Sequence, residues 1–524
     1  MTSRRNVAFL VLAIALSGHA DVARAGPLDP VGTGMQAIQE LRLEDAERAV
    51  AGVPRPLASR PEIRLVAAVV AFHRGRYQEA ITTLDEIRPS LQGDLLAYAN
   101  GIRAPIEAAA RRTRTMDTLT SSDGRYSVRF GSDDRVLAPY LLTQLRDADR
   151  VLSDVLGYRH PGPIRAEIYG DPEALSDVST LSIQAIETTG TIAICKFDRL
   201  MISSPRVLSH GYPWATTVSH ELVHLLVSRA TRDRAPTWFH EGIAKFLETA
   251  PYFGRPVLSL DAAEKRILHE RLVAGQMLPF ERFHPSVAML PTPEDAALAY
   301  AEAATVASAV FDLHGKAGIV RVLGRIGEGV DARVAIGELV GSPFDAWVES
   351  LWARVKREGA GQEAELDVAH FVSGDAQDDA SEIRSPAAKR HIRLGDMLWS
   401  RGHPLGASRE YARARADAPD DPIVLSRLSR SALEGGDAPA ALEAAREALR
   451  LRPNHAPARA LLAAALARGE DHHAAMLAAW DALRYNPFDP SPHCVLAETA
   501  EDEPTRRRER DVCQSLSTES SPAE

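Results

Sequence analysis

Cysteine is scarce in this chain. Three in 524 residues can support neither a disulfide framework nor a Cys₄ zinc site, so the fold must rest on an ordinary hydrophobic core. A basic excess is also missing. Lys and Arg number 61 against 71 Asp and Glu, a formal net charge of -10, which lacks the electrostatic footprint of a general nucleic-acid binder. Long apolar runs are absent as well. Val7–Leu16 is an apolar stretch of ten residues, whereas a helix needs about 20 to cross ~30 Å of hydrocarbon. Leu65–Phe72 and Leu461–Ala467 are shorter still, so no transmembrane segment is expected in the mature chain. What remains, 45% apolar and 25% charged residues, is the composition of a soluble globular protein and excludes global disorder or a collagen-like fibre. At about 150 residues per domain, the length suggests three or four folding units.

Residues 1–25 read as an export signal. Arg4 and Arg5 precede the apolar stretch, and Ala23-Arg24-Ala25 supplies a small-x-small cleavage pattern before Gly26. The competing reading, a retained anchor, is disfavoured by the ten-residue length, and no cysteine stands at the cleavage point to carry a lipid. The expectation is a chain secreted across the inner membrane, to the periplasm in a Gram-negative source. In an oxidising compartment Cys494 and Cys513 could pair, although spacing alone does not decide it. Cys195 reads as a small buried hydrophobe.

Towards the C-terminus the sequence repeats. Pro419, Pro453 and Pro487 are 34 residues apart, as are Leu394, Leu428 and Leu462, Ala407, Ala441 and Ala475, and Ala414, Ala448 and Ala482. Gly402, Gly436 and Gly469 fall between paired segments. Each unit therefore spells helix, glycine turn, helix, and a proline that stops the second helix. Small alanines where the helices cross allow close approach. Residues 386–500 thus resemble the tetratricopeptide repeat (TPR) family, an α-solenoid whose concave face would bind a protein partner, with Val495–Ala500 as a capping helix. A fainter echo spans residues 30–112, where Ala46 lies 34 residues before Ala80. Degenerate repeats and a plain helical hairpin fit it equally.

The middle, residues 120–358, has no such period. Tyr126–Phe130 and Ile164, Ala166 and Ile168 alternate as half-buried strands do, and Leu137–Val155 is apolar at helical spacing up to Gly157. Thr191–Ala193 with Ile194, and Leu200–Ser203, are further strand candidates. Strands followed by helices indicate an α+β domain. Residues 359–385 are acidic and poor in large apolar side chains, so they read as a linker, and 501–524 as a disordered tail whose Arg506-Arg507-Arg508 run is a solvated cluster.

Within that middle domain stands His220-Glu221-Leu222-Val223-His224. At about 100° per residue the two imidazoles project from one helical face, a turn apart, which suits two nitrogen ligands of a tetrahedral zinc. Glu221 falls beside that position, where a carboxylate can take a proton from water. A catalytic zinc needs a third protein donor and an open fourth position. Fourteen residues after His224 comes Trp238-Phe239-His240-Glu241-Gly242-Ile243-Ala244, a helix that Pro236 can start and whose Gly242 and Ala244 permit close packing against the His pair.

His-Glu-x-x-His followed by Trp-x-x-Glu-Gly-x-Ala resembles the gluzincin metallopeptidases of the peptidase-MA-like kind. The resemblance implies a zincin-like fold over 120–358, one Zn²⁺ per chain on His220, His224 and Glu241, and Glu221 as general base towards zinc-activated water. It implies further that an edge strand, here Leu200–Ser203, pairs with extended substrate. His240 is the alternative third ligand. Tyr300 would stabilise the oxyanion, unless it is simply a core tyrosine. The family's element for gripping a substrate amino terminus is absent, which points away from aminopeptidase action. Lys245 stands where a thermolysin-like enzyme has an acid, so the group orienting a ligand histidine is unassigned; Glu248 could do so or lie at the surface.

Two functions follow. The first is an exported zinc endopeptidase acting on protein or peptide, with repeats that recruit substrates or partners. The alternative is a non-catalytic TPR scaffold with a zinc-binding or degenerate zincin domain.

Overall fold

Alternation along short strands decides how the centre of the molecule is built. In the computed structural model, which describes residues 29–179, 181–183, 186, 192–208, 211–359, 379–469 and 471–519, five strands form one sheet. They are β1 (Asp117–Thr120), β2 (Tyr126–Phe130), β3 (Ile164–Tyr169), β4 (Ala193–Lys196) and β5 (Arg199–Ser203), in the order β1-β2-β3-β5-β4. β2, β3 and β5 run parallel, while β1 and β4 are antiparallel to their neighbours. Successive strand residues point to opposite faces. Ile164, Ala166, Ile168, Leu200 and Ile202 therefore enter one core, and Tyr169 and Met201 enter another on the far side. With both faces covered, β5 is buried along its whole length.

This order corrects one expectation. The Leu200–Ser203 segment lies inside the sheet, between β3 and β4, and β4 is the edge. The burial patterns carry the reason: β5 is buried at all five positions, as a central strand must be, whereas β4 is only partly buried.

On the first face lie two helices. Leu137–Leu156 stacks Leu141, Leu145, Ala148 and Leu152 on the sheet and stops at Gly157, whose φ of 62° is the left-handed cap that glycine favours. Trp214–Thr231, the His-pair helix, packs beside it in the same core. The second face is covered by the N-terminal helices, among them Leu43–Ala51, Pro61–His73, Tyr77–Ile87 and Gly93–Arg112. Leu43 and Tyr77, which open two of them, are 34 residues apart, and Ala46 and Ala80 are both fully buried.

Charged groups bolt this N-terminal layer to the sheet. The buried Arg199 pairs with Glu167 at 3.0 Å and lies 4.9 Å from the ring centres of Phe72 and Tyr77. Arg229, near the end of the His-pair helix, holds Asp198 at 2.8 and 2.9 Å and Glu44 at 3.0 Å. Burial opposes the charge on Asp198, but hydrogen bonds from His160 and Arg229 prevail and keep its carboxyl far below the usual range.

A long apolar helix, Pro293–Gly327, completes the central core. It is long and apolar enough to cross a bilayer by composition, yet 72% of that window is buried inside the protein, and Gly315 (φ 58°) breaks it.

The C-terminal hairpins then stack in series. Their second helices open at Pro404, Ala438 and His472, and later first helices at Pro422, Ala456 and Pro490, each 34 residues after the last. Ala407, Ala441, Ala475, Ala414 and Ala448 are fully buried, and Ala482 nearly so. Leu394, in phase with Leu428 and Leu462, is by contrast exposed; the crossing points, not the leucines, form the seam.

Two more expectations change here. The tail is not disordered over its described part: Glu503–Glu519 is a helix, tied to Pro490–Thr499 by a Cys494–Cys513 disulfide. Its few apolar residues hid it, because a covalent bond and the buried Glu509 hold it instead. Glu509 accepts from Tyr140 at 2.8 Å and pairs with His493 at 2.6 Å. The linker's last residues are also ordered. Asp379 takes Arg427 at 2.7 Å, Glu382 takes Arg452 at 2.9 Å, and Ala380 and Ile383 are buried in the first hairpin's core. The expected export signal and linker residues 360–378 lie outside the described residues.

Candidate metal centre

The site begins with helix geometry. Val218, Leu222, Val223, Leu225 and Leu226 anchor the His-pair helix in the core, and that leaves His220 and His224 together on the other face. Their ring centres are 4.8 Å apart. The helix ends in Arg232 and Asp233, both with left-handed φ (55° and 59°), which turn the chain back. Thr237–Leu247 follows, capped at Pro236.

Glu241 on this second helix reaches across. Its Oε2 lies 3.5 Å from Nε2 of His220 and 3.5 Å from Nε2 of His224. A tetrahedral centre with bonds of ~2.0–2.1 Å separates its donors by about 3.3–3.4 Å, and the two distances from Glu241 are close to that spacing. The carboxyl of Glu241 is held well below its ordinary range: burial opposes this, but the charge of His224 and hydrogen bonds from both imidazoles outweigh it. For His220 burial likewise acts downwards, yet contacts to Glu241 and Glu248 push its pKa up to about 10. A proton on that nitrogen would compete with any metal ion for it.

Glu248 is no surface carboxylate. Its Oε2 lies 3.0 Å from Nδ1 of His220, which leaves Nε2 facing Glu241. His240 stands on the other nitrogen of the His224 ring. Its Nδ1 sits 3.4 Å from Nδ1 of His224, and burial, with the charge of His224, lowers its pKa to about 3. The ring is thus a neutral neighbour of His224.

Glu221 is close but differently held. One donor atom from each of His220, Glu221 and His224 lies within 4.8 Å of the others. Glu221 also accepts a hydrogen bond from the Cys195 backbone on β4, so the sheet's edge strand runs beside it. Burial raises its pKa above the ordinary value, a shift that would suit a proton acceptor working near neutral pH. Cys195 itself is partly buried, and burial raises its thiol far above the usual range.

Tyr300 comes from the long apolar helix, with its ring 6.2 Å from that of His220 in an edge-to-face arrangement. Burial, then the charges of Glu241 and Glu221, hold the phenol well above its ordinary pKa, so it stays a donor. The Thr237–Leu247 helix meets this long helix very closely. A Cβ at Gly242 would stand 2.5 Å from the Ala303 carbonyl oxygen. Gly242 was expected to ease packing against the His pair; its close contact is with Ala303 instead.

Sequence reasoning missed what stands behind Glu248. Lys245 lies 3.0 Å from Glu248 and 3.0 Å from Glu264, on the helix Ala262–Ala274. Helical spacing from Lys245 to Glu248 was visible, but Glu264 arrives from a separate helix and has no local signature.

No protein-family model matches the chain, and no curated protein matches it. Among solved structures, the TPR domain of Sgt2 from Aspergillus fumigatus is 19% identical, covering 27% of this chain and 88% of its own, with a TM-score of 0.19. The APC/C hetero-tetramer Cut9-Hcn1 is 14% identical, covering 94% of this chain and 93% of its own, with a TM-score of 0.22. Scores this low carry no argument about this chain. The repeat architecture rests on the hairpins themselves.

Proposed function

We propose that the protein is an exported zinc metallopeptidase that cleaves within polypeptides, with helical repeats that recruit protein substrates or partners. The observation that carries this reading is the single Glu241 oxygen equidistant, at 3.5 Å, from the facing nitrogens of His220 and His224, with the raised carboxyl of Glu221 beside it. His220, His224 and Glu241 would hold the zinc. Bound there, zinc would polarise a peptide carbonyl and lower the pKa of water.

The remaining chemistry belongs to the chain. Glu221 takes a proton from the attacking water and returns it to the leaving nitrogen. The Tyr300 phenol donates to the oxygen on which negative charge develops. Extended substrate adds to the edge strand β4, next to Glu221. The Cys494–Cys513 disulfide supports placement in an oxidising compartment such as the periplasm.

A second reading is kept because helical hairpins make up so much of the molecule: a TPR scaffold whose central domain binds metal without catalysis. Purified protein assayed for zinc and for digestion of unfolded casein separates the two. Under the first reading the wild type holds about one zinc and cleaves, Glu221→Gln holds zinc but loses at least about 10²-fold in rate, and His220→Ala loses the metal. Zinc bound without cleavage would leave the scaffold. Equal cleavage by wild type and Glu221→Gln would remove the assigned base.

A further inference from the structure

We infer that Lys245 and Glu264 are positioning residues of the metal centre, acting through Glu248 to fix the orientation of His220. The inference rests on the zinc reading above and deepens it. Glu248 has two carboxylate oxygens with different duties. Oε2 faces Nδ1 of His220 at 3.0 Å, and Oε1 faces the Lys245 ammonium at 3.0 Å. The ammonium is itself tied to Oε1 of Glu264 at 3.0 Å. The other oxygen of Glu264 accepts the Asp261 backbone N–H at 2.9 Å, closing the capping box that starts the helix Ala262–Ala274. A fixed helix end thus holds a carboxylate, the carboxylate a cation, the cation a second carboxylate, and that carboxylate a ligand histidine.

The chain is enclosed. Side-chain exposure is 18% for Lys245, 13% for Glu248 and 9% for Glu264. A carboxylate held at one oxygen alone pivots about that contact. Held at both, it presents Oε2 in one direction, and the imidazole cannot rotate away without giving up its partner. This is the service that outer partners of ligand histidines perform, and their loss costs ~10–100-fold in metal affinity. Four residues after Glu241, where a thermolysin-like sequence has an acid, this chain has Lys245, and the acid comes three residues later with the lysine as its brace.

Zinc affinity, measured on the full-length protein by competition with a chromogenic chelator, tests the inference, with thermal melting as a control for folding. Lys245→Met should weaken zinc binding by about tenfold or more. Lys245→Arg, whose guanidinium can bridge the same carboxylates, should recover most of that loss. Glu264→Gln keeps an acceptor for the Asp261 cap but loses the charge that anchors Lys245, so it should weaken binding in the same direction. It also serves as the deciding variant should Lys245→Met not fold. Variants that melt lower yet bind zinc as tightly as the wild type would show a merely structural ion pair and overturn the inference. A wild type that binds no zinc would overturn the metallopeptidase reading as well, so the two failures are distinct.

Discussion

At the scale of single residues, the closeness of His220, His224 and Glu241 could be read from spacing, because helix geometry is local. His220 and His224 share a face whatever the fold, and Glu241 follows on the next helix. The duties of Glu248 could not be read that way. Its distance along the chain from Glu241 is compatible with a partner of His220 or a solvated acid, and the 3.0 Å contact to His220 Nδ1 decides between them, while Glu264, from another helix, holds the lysine behind it. Glu302 was equally invisible. It sits on the long apolar helix, is 1% exposed, and takes the Leu278 N–H at 2.9 Å. Burial raises its pKa from 4.5 to about 8. Below about pH 4.5 both folded and unfolded chains carry the proton; from there to about pH 8 only the folded chain keeps it. Stability contributed by this group is therefore lost as pH rises through that window, at no more than about 1.4 kcal/mol per pH unit. Glu302→Gln keeps an acceptor for Leu278 and has no charge to bury. Its melting temperature relative to the wild type should climb from about pH 4.5 to about pH 8; a constant difference would mean that Glu302 is not protonated in the folded protein.

At the scale of elements, the sequence signals were strongest where pattern and burial coincide. Leu137–Leu156 runs to its glycine cap as its apolar spacing requires, and the alanine steps of the C-terminal hairpins mark helix crossings. Strand order was not legible, since which strand borders β3 is settled by packing over long sequence distances. The terminal helix Glu503–Glu519 escaped notice because it is anchored chiefly by a cysteine, a glutamate and arginines, with Leu516 as a buried apolar residue. Gly242 shows how an element contact bears on the site. A methyl group there would gain ~1 kcal/mol of helix propensity. It would also press on the Ala303 backbone, which cannot rotate aside, and such overpacking costs ~1–3 kcal/mol. The clash wins. Gly242→Ala should lower the melting temperature and, by shifting Glu241 next to it, weaken zinc binding as well. An unchanged protein would mean that the two helices separate freely and that the position of Glu241 does not depend on their contact.

At the scale of the whole molecule, the His-pair helix is gripped at both ends by regions outside the central domain. Arg229 near its C-terminus is held by Glu44 of the N-terminal layer. At its N-terminus, Trp214 donates from Nε1 to the Leu483 carbonyl at 2.8 Å, and the Tyr212 N–H donates to the Tyr485 carbonyl at 3.2 Å. Both acceptors belong to the last repeat. Arg484 lies over the ring of Tyr252 at 4.3 Å, and Phe488 packs against the central core. The repeats are thus coupled to the helix that carries His220 and His224, which a free-standing recruitment module would not be. Trp214→Phe keeps most of the ring's bulk, removes the donor, and leaves the Leu483 carbonyl without its partner, at a cost of about 1–3 kcal/mol. If the regions unfold as one unit, that cost lowers the transition followed at the repeats as much as the one followed at the metal site. Calorimetry, paired with zinc release on heating, reads both. A variant whose repeats melt unchanged while the centre melts early would show the regions to be separate cooperative units, and coupling through Trp214 would be lost with that result.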